Sequence, residues 1–331
     1  MKILLTGATG FVGRNLLLDL LGDEAVEQVV AAVRNPLKLR RQLKGEGVLE
    51  IPEKLRILQA EAPDWEWDEL GLTHAIHSAG LISAPDRDTY FRINVTGTLR
   101  LLERLPADLP TIILSSQAAV GPTPSGQSER HEADPATPCT WYGESKWEME
   151  TRVREQFPNR PILFLRPPMV LGPRDTATLP LFRLARSPLR VKPGIAEKAF
   201  SWVGVRDLCS AIRRALLGPF DGQPYFVTST GVISDRQLIE TAGKVLGRRG
   251  VILPVPIPLL QTAAAVIGRY PGLAEKIPNL TPDRVRDLLA DRWVVDGAAF
   301  CRDFKWTPQD DFAETLRLTA EWYQFENLLP K

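Results

Sequence analysis

Short apolar runs alternate with amphipathic segments through the first half of the chain. The apolar runs are rich in β-branched and aliphatic residues, a pattern typical of strands that are buried on both faces of a parallel sheet. We predict such strands at 2–5, 28–33, 55–58, 74–77, 111–115 and 162–165. The segments between them, such as 11–21, 92–105 and 142–157, favour helices. Because strands and helices alternate, we expect an α/β fold with a doubly wound parallel sheet.

Prolines distinguish the second half of the chain from the first. They predict shorter helices, loops and edge strands after residue 166. The prolines concerned are Pro167, Pro168, Pro173, Pro180, Pro188, Pro193, Pro254, Pro256 and Pro258. We expect a main domain made of 1–166 and about 201–229, with a strand returning at 225–228. A smaller C-terminal lobe is expected to comprise about 167–200 and 230–331.

Composition and charge exclude several classes of protein. The 331 residues include 41 Lys+Arg and 40 Asp+Glu, and a formal net charge of +1 creates no global field that would attract nucleic acid. No segment reaches the roughly 18 to 20 uninterrupted apolar residues of a membrane span. Cys139, Cys209 and Cys301 are far apart and lack metal-ligand spacing, which fits a reducing compartment. We expect a cytoplasmic protein without a metal site, and we leave monomer and homodimer open.

A glycine-rich turn, TGATGFVG at 6–13, follows the first predicted strand and leads directly into a helix. Gly7 permits a tight turn, Gly10 lets the backbone approach a pyrophosphate, and Gly13 lets the helix pack closely on the strand. Unpaired N–H groups at the start of the helix then face the anion. The order of strand, turn and helix predicts a dinucleotide site. The alternative is a turn that needs glycine but binds no ligand.

The residue that follows the second strand indicates which dinucleotide fits. A carboxylate at this point would bind the ribose 2′-hydroxyl, whereas this chain has Arg34. A guanidinium suits a 2′-phosphate, and Lys38, Arg40 and Arg41 add positive charge nearby. We therefore predict that the protein prefers NADP(H), with NAD(H) as the second choice. A basic loop that is merely solvated is the alternative.

Tyr142 and Lys146 lie four residues apart at the start of a predicted helix, so their side chains project from one face. A free tyrosine has a pKa near 10, and an adjacent ammonium lowers this pKa towards the range useful for proton transfer at neutral pH. Ser116, at the end of a predicted strand, can donate a hydrogen bond to a substrate carbonyl. Together these residues predict reduction of a ketone, or oxidation of the corresponding alcohol.

These motifs resemble those of the extended short-chain dehydrogenases/reductases, the NAD-dependent epimerase/dehydratase family, which includes nucleotide-sugar epimerases, dihydroflavonol reductases and 3β-hydroxysteroid dehydrogenases. The resemblance runs nearly from end to end. It is carried by TGATGFVG at 6–13, HAIHSAG at 74–80, NVTGT at 94–98, SSQAAVG at 115–121, YGESK at 142–146, RPPMVLGP at 166–173 and WVGVRDL at 202–208. The resemblance implies a Rossmann fold with a substrate-binding lobe that Asp207 anchors, and a catalytic set of Ser116, Tyr142, Lys146 and Asn94, with Ser115 as the second choice for the serine.

The resemblance also implies which residues surround the ligands. Those expected to contact the cofactor are Gly7, Thr9, Gly10, Phe11, Val12, Gly13, Arg34, Glu61, Ser78, Ala79, Gly80, Tyr142, Lys146 and Pro167. Glu61 stands where many relatives have an aspartate. Those expected to line the substrate pocket are Leu81, Ile82, Gln117, Trp141, Met169 and Trp202, and their character indicates a small, largely apolar substrate. The alternative for each of them is a place in the core.

Departures from the family pattern narrow the reaction. Gln117-Ala118 stands where sugar-nucleotide dehydratases have an acidic pair, so elimination of water lacks its acid and base. Three interpretations remain: a carbonyl reductase, a nucleotide-sugar epimerase that retains its cofactor, and a non-catalytic module that senses the cofactor. The cations between residues 183 and 198 predict either a clamp for a phosphate or CoA group or a solvated face.

Overall fold

The computed structural model describes residues 1–67, 69–256, 258 and 290–330. Its central feature, within these residues, is a seven-stranded parallel sheet with the order β10-β6-β5-β4-β1-β2-β3. The order reverses between β1 and β4, which leaves a crevice at the carboxyl ends of the strands. This sheet confirms the predicted doubly wound α/β fold. Its strands are β1 (Lys2–Thr6), β2 (Gln28–Val33), β3 (Leu55–Gln59), β4 (His74–His77), β5 (Thr111–Leu114), β6 (Ile162–Arg166) and β10 (Pro224–Phe226).

Helices cover the sheet, and several begin at a polar residue whose side chain accepts a backbone N–H of the first turn. Asn35, Asp86 and Thr140 do this for α2, α3 and α5, which satisfies a donor that the helix leaves unpaired. The helices are α1 (Phe11–Leu21), α2 (Pro36–Gly45), α3 (Arg87–Tyr90), α4 (Gly97–Arg104), α5 (Trp141–Gln156), α6 (Leu179–Ala185), α7 (Val205–Ala215), α8 (Asp235–Val245), α9 (Ala298–Asp303) and α10 (Phe312–Phe325).

The segment predicted as one helix over 92–105 is more complex. A π-helical turn at Phe91–Thr96 follows α3 and passes directly into α4. Such turns are rare and occur frequently at functional sites. A second irregular element, a 3₁₀ turn at Gln117–Ala119, follows β5. The strand itself ends at Leu114, one residue earlier than the predicted 111–115.

The second half of the chain forms two smaller sheets. β7 (Met169–Leu171), β9 (Ala199–Gly204), β11 (Val232–Ser234) and β13 (Arg292–Trp293) make the larger one, with β9 bonded to the other three strands. β8 (Leu189–Pro193) and β12 (Val251–Val255) pair in parallel. The predicted strand at 225–228 is found as β10, at the edge of the main sheet.

Two large hydrophobic clusters hold these layers together. The first lies between the main sheet and α1 and α7, and the second joins α6, α8 and α10 to the β9 sheet. The C-terminal segment contributes to both clusters. Phe300 and Phe304 pack against Tyr225 of β10 in the first cluster, with Trp306 against Phe300, and α10 contributes to the second. The chain therefore crosses the predicted division into lobes at α9. Residues 257 and 259–289 of the predicted lobe lie outside the described residues.

We find no helix in the described ranges with the length and apolar character needed to cross a membrane.

Candidate active site

The glycine-rich turn lies between the carboxyl end of β1 and the start of α1. Gly7 has a positive φ of 77°, and a Cβ atom on it would lie 2.6 Å from the carbonyl carbon of Ser78. A Cβ on Gly13 would collide with the carbonyl oxygen of Gly7. Only glycine therefore lets β4, the turn and α1 approach so closely. The first turn of α1 contains no acidic residue and no side-chain cap, so its N–H groups and dipole remain available for an anion.

A cleft of about 380 Å³ opens beside this turn. Many of the residues predicted to contact the cofactor line it, and Trp65, Thr89, Arg92 and Ile93 line it without having been predicted. The predicted lining residues are Gly7, Thr9, Gly10, Arg34, Glu61, Ser78, Ala79, Gly80 and Leu81. Phe11 and Val12 instead pack partly against the first hydrophobic cluster. A larger cavity of 860 Å³, near Glu132 and Trp147, contains none of the predicted site residues.

Arg34 and Glu61 face each other at the end of the cleft formed by β2 and β3. The guanidinium Nη1 of Arg34 lies 3.5 Å from the carboxylate Oε1 of Glu61, and their side chains are 77% and 57% exposed. Ion pairs this exposed contribute little to stability. The two predicted contacts for the cofactor ribose and base thus form a loose pair that a ligand can separate.

Lys146 lies at the other end of the cleft and is almost completely buried. Its ammonium Nζ donates a 2.8 Å hydrogen bond to the carbonyl oxygen of Leu114, and a Cβ placed on Gly80 would lie 3.3 Å from Nζ. Burial lowers the pKa of Lys146 to about 8, and the negative charge of Glu150 opposes this shift. An ammonium close to its pKa at neutral pH therefore borders the cleft.

Asn94 connects the loop after β4 to α5. Its Oδ1 accepts from the backbone N–H of Leu81, and its Nδ2 donates to the carbonyl of Leu81 and to the hydroxyl of Ser145. Ser145 in turn donates to the carbonyl oxygen of Tyr142. Asn94 lies in the π-helical turn and is buried. Its amide is thus used to fix the segments that carry Leu81 and Tyr142.

Ser116 and Tyr142 come from two elements that pack in close contact. Ser116 is half-buried, and its hydroxyl accepts from the N–H of Ala118 at 3.1 Å. A Cβ on Gly143 would collide with the carbonyl oxygen of Ala118, so glycine is required where the start of α5 meets this turn. Tyr142 is also half-buried, and its ring centroid lies 6.2 Å from that of Tyr90.

His77 carries a hydrogen-bond chain beneath the site that sequence reasoning missed. Thr6 accepts from the N–H of Ala79, and its hydroxyl donates to His77 Nδ1 at 2.8 Å because the proton of the neutral ring lies on Nε2. His77 Nε2 then donates to Thr98 at 2.9 Å, and Thr98 donates to the carbonyl oxygen of Asn94. These directions are assigned because each hydroxyl has one proton. Burial, with a smaller effect of Lys146, lowers the pKa of His77 to about 3.

The residues predicted to line the substrate pocket occupy different environments. Trp202 is 1% exposed and its ring packs against Phe312 in the second cluster, which corresponds to the core alternative. Gln117 is buried, and its Nε2 has no hydrogen-bond partner in the described part of the chain. Ile82 is 60% exposed, and Leu81, Trp141 and Met169 are half-buried. Pro167 accepts from the backbone N–H of Gln117.

The cations between residues 183 and 198 do not share one surface. Arg190 donates to the carbonyl oxygens of Ser187 and Arg248, and Lys192 donates to Ala196 and pairs with Asp235. Both are buried, as is Lys198, whereas Arg183 is exposed and Arg186 is half-buried. Arg190 and Lys192 are engaged with protein groups, so these two cations form neither the phosphate clamp nor the solvated face that we considered.

The motif that contains Asp207 ties α7 to two distant loops. Its carboxylate accepts from the hydroxyl of Ser229 and from the backbone N–H groups of Gln309 and Asp310. The backbone N–H of Asp207 donates back to the carboxylate of Asp310. A buried side chain with this many bonds fixes the segments that follow β10 and α9.

The parallel sheet and the glycine-lined cleft at its topological switch point define an enzyme of the dinucleotide-binding α/β class. The chain belongs to the NAD dependent epimerase/dehydratase family, whose model matches residues 3–227. It is thus an NAD(P)-dependent enzyme of the extended short-chain dehydrogenase/reductase type.

Individual relatives agree with this family. The chain is 29% identical to a ceramide reductase of Caulobacter vibrioides, over 99% of this chain and 96% of the relative. It is 28% identical to a ketoreductase of Aspergillus niger, over 72% and 80% of the two chains. A UDP-glucuronic acid 4-epimerase from Bacillus cereus, solved in complex with NAD, shares the fold, with a TM-score of 0.75, 18% identity and 99% of both chains covered.

Proposed function

We propose that this protein is a reductase that transfers a hydride between NADP(H) and a carbonyl or secondary alcohol of a small, largely apolar substrate. The observation that carries the proposal is the buried ammonium of Lys146, which borders the cleft beside Gly80, one helical turn after Tyr142. A desolvated cation next to a phenol is the arrangement that general acid catalysis by tyrosine requires.

The cleft fits a dinucleotide at several independent points. The glycines of the turn let β4 and α1 approach it closely, and the acid-free start of α1 suits a diphosphate. Arg34, released from Glu61, would bind a 2′-phosphate by charge-assisted hydrogen bonds. Gln42 donates to the carbonyl of Thr9, which holds α2 and its cations against the turn. When bound, the nicotinamide supplies or accepts the hydride.

In this mechanism each polar side chain has one task. Tyr142 gives its phenolic proton to the carbonyl oxygen during reduction and takes it back during oxidation. Lys146 stabilises the phenolate electrostatically, and Ser116 turns its hydroxyl proton towards the carbonyl oxygen. The buried Nε2 of Gln117, which has no hydrogen-bond partner among the described residues, offers a further donor that a ligand would satisfy. Asn94 and His77 hold the surrounding backbone and transfer no proton.

The substrate class is supported from two directions. Two relatives, which cover 99% and 72% of this chain, are named ceramide reductase and ketoreductase, names that describe reductases, in one case of a lipid. The positions next to the predicted reacting carbon are mainly apolar, with Leu81 in the cleft lining and Ile82 exposed at its edge. An apolar wall favours an aliphatic, aromatic or steroid-like carbonyl compound over a sugar nucleotide.

The experiment is a panel of ketones and sugar nucleotides followed at the nicotinamide absorbance, with wild type and Tyr142→Phe. We expect stoichiometric consumption of NADPH with an apolar ketone, and a loss of roughly two to four orders of magnitude in kcat for Tyr142→Phe with nearly unchanged NADPH affinity. Tyr90→Phe, a neighbouring phenol in contact with the Tyr142 ring, is the matched control and should lose far less.

Three results would contradict the proposal. Conversion of a sugar nucleotide with NAD(P)H unchanged would identify an epimerase. Cofactor binding without turnover of any compound would favour a sensing module. A fully active Tyr142→Phe would mean that another group donates the proton.

A further inference from the structure

A buried ion pair lies one helical turn beyond Lys146. Glu150 is four residues further along α5 and is completely buried. Its Oε1 accepts from Nε of Arg166 at 2.9 Å, and its Oε2 accepts from Nη2 of Arg166 at 2.6 Å and from Nη2 of Arg154 at 3.0 Å. Because residues four apart share one face of a helix, the carboxylate and the Lys146 ammonium lie on the same side of α5.

The ion pair and the ammonium are attached to the same pair of strands. Lys146 donates to the carbonyl of Leu114, the last residue of β5. Leu114 pairs with Leu165 of β6, and Arg166 is the next residue of β6. A shift of Arg166 or Glu150 would therefore be transmitted to the backbone that holds the ammonium.

Stability alone gives little reason for this pair. Apolar residues of similar volume often stabilise a core as well as, or better than, a buried ion pair does. A partly exposed ion pair between residues four apart, Arg152 with Glu148, lies on the same helix. The distinguishing property of the Glu150–Arg166 pair is that two fixed charges lie in a low-dielectric region next to Lys146, where Coulomb interactions are strong.

We propose that Glu150, held by Arg166, is a positioning residue that keeps Lys146 charged and directed at the cleft. This inference rests on the proposed function, because it assigns a role relative to the lysine of that mechanism. Removal of the carboxylate would leave a buried guanidinium near the ammonium, and removal of the guanidinium would leave the carboxylate less neutralised. The two changes should therefore have opposite effects on Lys146.

Electrostatics in the described residues agree with this geometry. Burial would raise the pKa of Glu150, but Arg166 and Arg154 hold it below its ordinary value, so the carboxylate is ionised. The other titratable groups that face Lys146 are Tyr142 on its own helix and His77 of β4, which stays neutral because its pKa is about 3. The remaining charged groups on the elements packed against α5 are exposed, and they are Arg87, Asp88, Arg92, Arg100, Glu103 and Arg104.

The test is a titration of the Lys146 ammonium in full-length, cofactor-free protein, by NMR on lysine labelled with ¹³C and ¹⁵N. The variant Lys146→Arg assigns the signal. Wild type should titrate near pH 8. In Glu150→Gln the midpoint should fall by about one pH unit, the size expected for charges one helical turn apart. In Arg166→Gln it should rise, because Arg154 still keeps the carboxylate ionised.

Two further variants separate positioning from a structural role. Arg166→Lys, which keeps the positive charge, should restore a titration close to that of wild type. Glu148→Gln, which removes the exposed carboxylate on the same helix, should leave it unchanged. The alkaline limb of the kcat/KM profile for an active ketone should move in parallel with the NMR midpoint in every variant.

Unchanged midpoints, or shifts of the same sign in Glu150→Gln and Arg166→Gln, would overturn the inference. If Glu150→Gln fails to fold, the upward shift in Arg166→Gln and its reversal in Arg166→Lys still decide the question. If wild type reduces no carbonyl compound, the proposed function fails, but the NMR titration still reports whether Glu150 controls the charge of Lys146.

Discussion

Two Arg–Glu pairs, one at the exposed end of the cleft and one a helical turn beyond Lys146, lie in opposite environments. At the tips of β2 and β3, Arg34 and Glu61 are largely exposed and 3.5 Å apart. Beneath α5, Arg166 and Glu150 are buried and form a bidentate pair. Water screens the first pair, so a ligand can exchange one partner at little cost. The second pair is buried, so water does not readily replace a lost partner, and breaking the pair changes the electrostatics of its neighbours.

Among the variants that test this comparison, the largest effect is expected from Lys146→Met, one helical turn before the buried pair. We predict that kcat falls by roughly two to four orders of magnitude, because the phenolate of Tyr142 loses its cation. The folded pKa of Lys146, about 8, lies below its ordinary 10.5, so burying the ammonium costs stability at every pH below about 8. The variant should therefore be as stable as wild type, or more stable, at pH 7 by denaturant unfolding. A less stable variant would contradict this account.

The next largest effect is expected from a change at His77, the buried histidine of β4. Its pKa falls from 6.5 to about 3 on folding, so the unfolded chain binds the additional proton between these pH values and acid favours unfolding. We predict that His77→Gln has a flatter dependence of unfolding free energy on pH, by up to about 1.4 kcal/mol per pH unit. His74→Gln, at a less buried ring, is the control. Parallel curves for His77→Gln and wild type would refute the prediction.

A smaller and more selective effect is expected at the exposed end. Arg34→Ala should weaken binding of NADPH by about 10- to 100-fold, the range of a lost charge-assisted hydrogen bond, while NADH binding changes little. Fluorescence titration of both cofactors measures this difference. Arg56→Ala, at another exposed arginine on β3, is the control. Equal losses for both cofactors would show that Arg34 does not contact a 2′-phosphate.

The smallest effect should follow from Glu61→Gln. This change frees Arg34 from an exposed carboxylate, and we expect NADPH affinity to rise by no more than about fivefold, as suits a surface ion pair. The gain should disappear at high salt, where wild type and variant converge. A loss of NADPH affinity would instead indicate that Glu61 contacts the cofactor directly, as the family resemblance implied.

The sequence predicted the features that depend on local spacing. The strands of the main sheet and α1 were located to within a residue or so, because buried parallel strands and amphipathic helices differ in period. The glycine turn was recognisable because strand, turn and helix follow directly in the chain. The π-helical turn at Phe91–Thr96 was not recognisable from the sequence, since its slightly wider turn hardly changes a helical pattern over a few residues.

Features that depend on distant partners were missed or misjudged. Trp202 follows a family motif, but which face of β9 it lies on is decided by the packing of Phe312 against it. The sequence leaves Lys192 open to a role in a phosphate clamp or in a solvated face, because Asp235, its partner, is 43 residues away. Glu150 could have been noticed, because it shares a helical face with the apolar Met149 and Val153. A charge on such a face needs a buried partner.

The aromatic cluster around Tyr225 bears on how this enzyme can be dissected. The ring of Phe300 stacks on that of Phe304 with 4.5 Å between their centroids, and Trp306 packs edge-on against Phe300. Residues late in the chain therefore complete the core beside the main sheet. A truncation after β10 would strip these rings away and leave Tyr225 in water. The main sheet and the later part of the chain therefore cannot be separated, or exchanged with those of a relative, by a single cut after β10.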